Sequence, residues 1–252
     1  MTSDTGGFDY SQVRGIPEVA VRAELLLERL QLLASGSRSR ILEIGVGSGD
    51  ITLILAGLFE DVTCVDPDEI NCNLVWKRLK DMNLNGVTFL RTKVEEAQIP
   101  PNYYNHIILQ NILEHLEDPV NVLQSLSTCL CPGGYMHISV PLANSLHRWL
   151  GVEMGLISHP DDLGETDVQY GHRRVYTPDL LRKHMESADL QAVYELPFYL
   201  KPLPTPMLNP LSMEIHRTLY LLGQRFPEFA SYMYMEVSRR STGFHLQPDR
   251  PR

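Results

Sequence analysis

Several classes of protein are excluded by what this chain has little of. Its four cysteines, Cys64, Cys72, Cys129 and Cys131, show no Cys-x-x-Cys spacing of a redox or zinc motif. Cys64 and Cys129 lie in apolar runs, which predicts buried free thiols and a reducing cytoplasm. Positive charge is short: 22 Lys and Arg against 31 Asp and Glu leave a formal charge of −9. A nucleic-acid binder needs basic surface to displace counterions, so no nucleic-acid partner is expected. No run of about 18 apolar residues is present, and the polar start Met1–Gly7 lacks a signal-peptide core. Neither a membrane partner nor a leader is expected. There is no internal repeat and no low-complexity linker, and 252 residues at 43% hydrophobic suffice for one large core.

What is present is a glycine turn between two acids. The apolar run Ile41–Ile44 meets Gly45, Gly47 and Gly49, and a second apolar run from Val62 ends at Asp66 and Pro67. In the dinucleotide fingerprint the glycines are spaced Gly-x-Gly-x-x-Gly, so that a helix N-terminus approaches a pyrophosphate. Here the spacing is compressed, and Glu43 stands two residues before the first glycine. A carboxylate there repels a pyrophosphate and suits a cationic ligand. Asp66 falls 21 residues after Gly45, where a ribose-binding acid belongs. The site calls for an uncharged nucleoside carrying a positive group, and S-adenosylmethionine is one.

Around this turn the periodicity alternates. Strands are predicted at 40–45, 62–66, 87–91, 104–110 and 134–140, with helices at 49–59, 68–83 and 119–130. Pro17 opens an amphipathic helix to about Leu33, with Val21, Leu25, Leu26 and Leu30 on one stripe. Asp118-Pro119 is a helix start, and Pro132-Gly-Gly134 is expected to end that helix. Residues 142–176 lack clear periodicity and read as a cap over the carboxyl ends of the strands. Thr177-Pro178 starts a further helix to about Ser187. Strands near 191–196 and 231–237 close the sheet, joined by proline-rich 197–210 and a helix at 211–223. The expectation is an α/β fold, a largely parallel seven-stranded sheet with helices on both faces. One domain is divided into an N-terminal lid and helix (1–35), a core (36–141), the cap (142–176), closing elements (177–240) and a polar tail (241–252).

The run Leu42-Glu-Ile-Gly-Val-Gly-Ser-Gly49 resembles the glycine loop of the class I S-adenosylmethionine-dependent methyltransferases. Tyr104–Pro119 resembles their fourth-strand region facing the methyl donor, and Cys131–Pro141 their fifth-strand entry. Val140–Arg148, Tyr170–Tyr176 and Tyr199–Leu203 resemble a bacterial branch acting mostly on small molecules, often in natural-product or surface-sugar pathways. The resemblance covers most of the chain. It implies a Rossmann-like doubly wound fold, S-adenosyl-L-methionine as methyl donor and S-adenosyl-L-homocysteine as product. The implied donor contacts are Glu43, Gly45, Gly47, Gly49, Asp66, Pro67, Val94, Glu95, Gln110 and Asn111. Two departures stand out. Thr92-Lys-Val-Glu95 puts Lys93 where the family has an acid near the adenine amino group, so that contact passes to Val94 or Glu95. Tyr104-Asn105 replaces the usual Phe-Asp.

Methyl transfer from a sulfonium is a direct displacement in which alignment contributes about 7–11 kcal/mol. The donor is already activated, so transfer itself calls for no metal. The acceptor must lose a proton, and a histidine base suits that step. His115 follows the fourth strand at the mouth of the site, and His172 lies in the cap beside Gly171; these are the catalytic candidates. His115 could instead orient the following loop, and His172 could make a structural hydrogen bond. Tyr10, His147, Arg148 and Arg173 are candidates for the acceptor side, Tyr10 by covering the sulfonium with an aromatic face. Arg148, Arg173 and Arg174 could grip a carboxylate or phosphate, or pair with Asp161, Asp162, Glu165 or Asp167. Phe198-Tyr199 and Tyr232-Met-Tyr234 are expected to fill strand faces. Alternatives to a small-molecule methyltransferase are one acting on a macromolecule and a catalytically silent relative; a nicotinamide enzyme is more remote. A monomer or a homodimer is compatible with the sequence.

Overall fold

The computed structural model describes residues 16–240 apart from 35 and 37. Tyr10, the expected lid over residues 1–15 and the expected tail 241–252 lie outside these residues. The described residues form a seven-stranded sheet in the order β3-β2-β1-β4-β5-β7-β6. Its strands are β1 (Arg40–Ile44), β2 (Asp61–Val65), β3 (Val87–Leu90), β4 (Tyr104–Gln110), β5 (Leu130–Pro141), β6 (Leu190–Leu200) and β7 (Ala230–Arg239). The first five pair in parallel, and β7 runs antiparallel between β5 and β6. The central strands are apolar on both faces, because each face is covered by helices.

Those helices split the core into two layers. On one face α1 (Pro17–Leu33), α2 (Asp50–Leu58), α3 (Glu69–Asp81) and α9 (Met213–Arg225) bury Leu26, Leu55, Val75 and Leu219. On the other, α4 (Pro119–Cys129) and α7 (Pro178–Ser187) bury Leu123, Leu126, Leu181 and Met185. The predicted stripe of α1 is the buried one: Val21, Leu25, Leu26 and Leu30 are all in the core. Asp68, Asp118, Thr177 and Ser212 cap α3, α4, α7 and α9 with their side chains, as short polar residues do at helix starts. No described helix is long and apolar enough to cross a membrane.

Three expectations need correction. Helix α4 ends at Cys129, before Pro132-Gly-Gly134; those residues lie at the start of β5, where the pairing with β4 slips between Tyr104 and His106. An irregular strand start accommodates the proline and the positive φ of Gly133 that a regular ladder would reject. Strand β6 runs on through Pro197 to Leu200, and α8 (Thr205–Leu208) interrupts the supposed proline-rich connection. Pro197 is tolerated because β6 is an edge strand. The cap contains α5 (Leu146–Glu153) and α6 (Glu165–Gln169), neither of which buries a fully apolar stripe, so periodicity gave no signal.

Candidate functional site

Strand order reverses between β1 and β4, and the chain leaves these neighbours toward opposite sides of the sheet. The crevice at such a switch point is where open α/β sheets bind ligands. Here it opens into a cavity of about 1080 Å³, lined by the tips of β1, β2, β3 and β4, by the cap and by α1.

One half of the cavity is the glycine turn. Gly45, Gly47 and Gly49 all have positive φ, at 78°, 49° and 83°. At Gly45 a Cβ would fall 2.2 Å from Cδ1 of Ile112, so any side chain there would displace Ile112, and the positive φ itself favours glycine. Asp66 follows β2, is 7% exposed, and accepts the backbone N–H of Val46 and of Asp68, both at 2.8 Å. Burial raises its carboxyl from the ordinary value, opposed by the amides of Asp68, Val46 and Gly47. Each carboxylate oxygen retains a lone pair for a further donor. Glu43 is buried beneath the turn and accepts hydrogen bonds from the Thr52 hydroxyl (2.7 Å) and the Cys64 thiol (3.3 Å). Burial, with a smaller push from Asp66, raises its pKa to about 8. Arg78 of α3 ties the turn down by donating to the Ser48 carbonyl and to Asp50.

Across the crevice, the tip of β4 presents unpartnered polar atoms. Nε2 of Gln110 and Oδ1 of Asn111 are buried without a hydrogen bond among the described residues, and Asn111 has φ of 56°. Deeper lies Glu114, fully buried, with neither carboxylate oxygen hydrogen-bonded among the described residues. Burial pushes its pKa up to about 7 against the opposing charges of His172, Arg22 and Arg174. Buried polar groups are nearly always paired, so a row of orphans along one wall points to a ligand.

Residues 20–195 match the family model of a methyltransferase domain. The chain belongs to the class I S-adenosylmethionine-dependent methyltransferases. Among curated proteins it is 25% identical over 178 residues to the ubiquinone/menaquinone biosynthesis C-methyltransferase of Vibrio campbellii, covering 67% of this chain and 68% of the relative. It is 27% identical over 154 residues to the ubiquinone biosynthesis O-methyltransferase of Aeromonas salmonicida, covering 60% and 62%. Among solved structures, the fold matches the N-methyltransferase NodS of Bradyrhizobium japonicum WM9, determined with S-adenosylhomocysteine. That match has a TM-score of 0.59 at 16% identity, covering 92% of both chains.

The residues present fit the methyl donor. Glu43, Gly45, Gly47, Asp66, Pro67, Val94, Glu95, Gln110 and Asn111 all line the cavity, as does Lys93. Gly49 does not. It is the left-handed N-cap residue of α2, and a Cβ on it would lie 2.6 Å from a Val75 methyl, so its task is packing behind the turn.

The acceptor-side candidates separate. His172 and His115 meet edge to face with ring centroids 4.8 Å apart. His172 Nδ1 lies 3.1 Å from Asp167 Oδ1. Burial would raise Asp167, but hydrogen bonds from His172 and Gly164 and the charge of Arg148 hold it far below the carboxylate range. His115 is pushed down to about 4, chiefly by burial and then by His172, and hydrogen-bonds to the backbone of the Tyr170–Gly171 turn. His147 is pushed to about 3 by burial and by Lys201 and Arg148, and its Nδ1 lies 2.9 Å from the Ser145 hydroxyl. Arg148 is engaged with Asp167 (3.0 Å) and with the carbonyls of Pro160 and Asp162, which is the alternative pairing rather than a free grip. Arg174 donates to the carbonyls of Leu113, Leu116 and Glu117, while exposed Arg173 lines the cavity. Phe198 and Tyr199 fill the core as expected; Tyr232 also faces the cavity, a correction. One ligand atom each from Glu114, His115 and His172 lie within 4.8 Å of one another, a spacing that could hold a metal ion.

Glu114 and the Asp167–His172 pairing were missed in the sequence. Glu114 stands beside His115 in the fourth-strand motif, but nothing in its neighbours announces a buried, unpartnered carboxylate.

Proposed function

We propose that this methyltransferase transfers a methyl group to an oxygen, nitrogen or activated carbon of a small biosynthetic metabolite, with His172 taking the acceptor proton. The observation that carries this reading is the His172 arrangement. With its Nδ1 proton donated to Asp167, the imidazole keeps a lone pair on Nε2, and Asp167 is itself fixed by Arg148 and the Gly164 amide. An ionised carboxylate behind the ring stabilises the imidazolium formed on proton uptake, the logic of other base-and-orienter pairs. Glu114 lies on the same side and adds a second acceptor for positive charge. His115 positions the turn that carries His172.

Bound S-adenosylmethionine supplies an electrophilic methyl on a cationic sulfur. Asp66 would accept the ribose hydroxyls, the glycine turn would lie against the methionine part, and Glu43 offsets the positive charge from beneath. Asn111 and Gln110 offer polar ends toward the same ligand. A cavity of about 1080 Å³ roofed by the cap fits a donor and one small acceptor, by comparison with the roughly 300–1,000 Å³ of typical ligand pockets. The biosynthetic relatives named above support a metabolite rather than a macromolecule, and the net charge of −9 weighs against RNA.

Two measurements test this. Calorimetry with S-adenosylmethionine should show micromolar binding that Asp66→Ala weakens; no binding, or unchanged binding in the variant, favours a catalytically silent protein. Release of S-adenosylhomocysteine over a panel of phenol, amine and carboxylic-acid acceptors should fall in His172→Asn at saturating donor. Near-normal turnover in that variant removes His172 from the chemistry. A second reading rests on the Glu114, His115 and His172 spacing: a divalent cation there would orient the acceptor. Loss of turnover on chelation, restored by Mg²⁺ or Mn²⁺, would favour it.

A further inference from the structure

One wall of the cavity is built by α1, β7 and the segment after β6, and its charges do not balance within the described residues. Glu18, 4% exposed, is already satisfied: it accepts the Tyr232 hydroxyl and the Thr205 hydroxyl (3.2 Å), and the Lys201 ammonium lies 3.6 Å away. Although burial would raise its pKa, the charges of Lys201 and Arg22 and these hydrogen bonds leave it lowered, so Glu18 is ionised and neutralises one cation. The other is Arg22, one helical turn along α1. Its guanidinium lies over the Tyr232 ring at 5.0 Å and makes no hydrogen bond or ion pair among the described residues. Its Nε is enclosed without a partner, and so is the Ser231 hydroxyl on the same wall. Arg22 lines the same cavity as Glu18, Glu114 and His172.

Arg22 is half-buried, but its enclosed Nε has no acceptor among the described residues and loses hydration without compensation, and such groups persist where a ligand completes them. We propose that Arg22, with Ser231 and Lys201, forms a subsite for an oxyanion on the methyl acceptor, a carboxylate or a phosphate. The planar fork of Arg22 matches either group in two-point contact, the Ser231 hydroxyl donates a third bond, and the Lys201 ammonium, though paired with Glu18, keeps N–H groups to donate. This inference rests on the methyltransferase reading for the acceptor's role, and it extends it by naming the acceptor's charge. It also relocates a function. The sequence offered Arg148, Arg173 and Arg174 for gripping an anion, but Arg148 and Arg174 are engaged with the protein itself. Arg22 carried no sequence signal because it sits on the polar-looking flank of an amphipathic helix, four residues after a glutamate it does not bond.

The experiment is a calorimetric titration of the full-length protein, with and without S-adenosylhomocysteine, by inorganic phosphate and separately by benzoate. Saturable one-to-one binding of at least one anion, in the millimolar range, is expected. Tighter benzoate binding assigns a carboxylate, and tighter phosphate binding a phosphate. Arg22→Met should weaken the favoured anion at least tenfold, and Lys201→Met about threefold, with S-adenosylhomocysteine affinity within twofold of wild type in both. Lys201→Met keeps the test decisive if Arg22→Met unfolds. Absence of saturable binding to wild type, as when a carboxylate of the chain itself holds Arg22, overturns the proposal; so does equal affinity in wild type and variants. Failure of S-adenosylhomocysteine to bind wild type would instead strike the donor reading, because the anion titration is also read without it.

Discussion

Glu43→Gln is expected to make the protein more stable at neutral pH while weakening the methyl donor's hold. Glu43 keeps its proton up to about pH 8 when folded, against about 4.5 for an ordinary glutamate. Between those values the folded chain binds a proton that the unfolded chain has released. Stability therefore falls as pH rises from about 4.5 to about 8, by at most ~1.4 kcal/mol per pH unit for this group. Over the two and a half units up to pH 7 the accumulated cost is on the order of 3 kcal/mol. A glutamine keeps the carbonyl oxygen that accepts from Thr52 and Cys64 but has no proton to lose, so this slope disappears. Urea unfolding of wild type and Glu43→Gln at pH 5, 6, 7 and 8 measures the difference, in which the other titrating groups cancel. The variant's advantage should widen with pH. Donor binding has the opposite sign: a sulfonium above Glu43 draws its pKa down, so wild type releases up to one proton at pH 7, measurable by calorimetry in buffers of different ionisation enthalpy. Parallel stability curves for the two proteins, together with no proton release, would refute this reasoning.

Gly49→Ala places a Cβ 2.6 Å from a Val75 methyl at φ of 83°, and the two penalties together amount to about 3 kcal/mol. For a domain of this length that is a fall in Tm of roughly 10 °C, read by calorimetry. Asp167→Asn preserves the shape behind His172 but frees the proton to move to the other ring nitrogen; kcat should drop by about 10²–10⁴ with little change in KM for the donor. A proportional rise in KM with kcat intact would show that Asp167 only holds the cap. Chelation should leave turnover unchanged if the Glu114, His115 and His172 group works without a metal ion.

The cavity wall expected to face the donor was legible because its features are local. Glu43, the turn glycines and Asp66 lie at strand ends, and strand ends carry both their periodicity and their punctuation in the sequence. Only Gly49 changed meaning, from a ligand contact to a packing position, since contact with Val75 depends on how α3 lies on α2. The cap resisted for a different reason. Helices α5 and α6 are short and half-covered, so no buried stripe marks them. The partner of Arg148 is 19 residues away, and several acids nearby were equally plausible.

By itself, the sequence determined the parallel α/β architecture and the glycine turn with the acids that flank it. Burying apolar strands on both faces admits few other arrangements, and the glycines and acids that punctuate the strand ends mark the crevice wherever the helices lie. Tertiary structure alone decided which polar groups are left without partners. Glu114, Arg22 and Ser231 look like ordinary residues until folding encloses the carboxylate, the Nε and the hydroxyl without partners among the described residues. Satisfaction of a buried charge is a property of three-dimensional neighbours, and the neighbours here come from α1, the tip of β4, the cap and β7, segments more than 200 residues apart at their extremes.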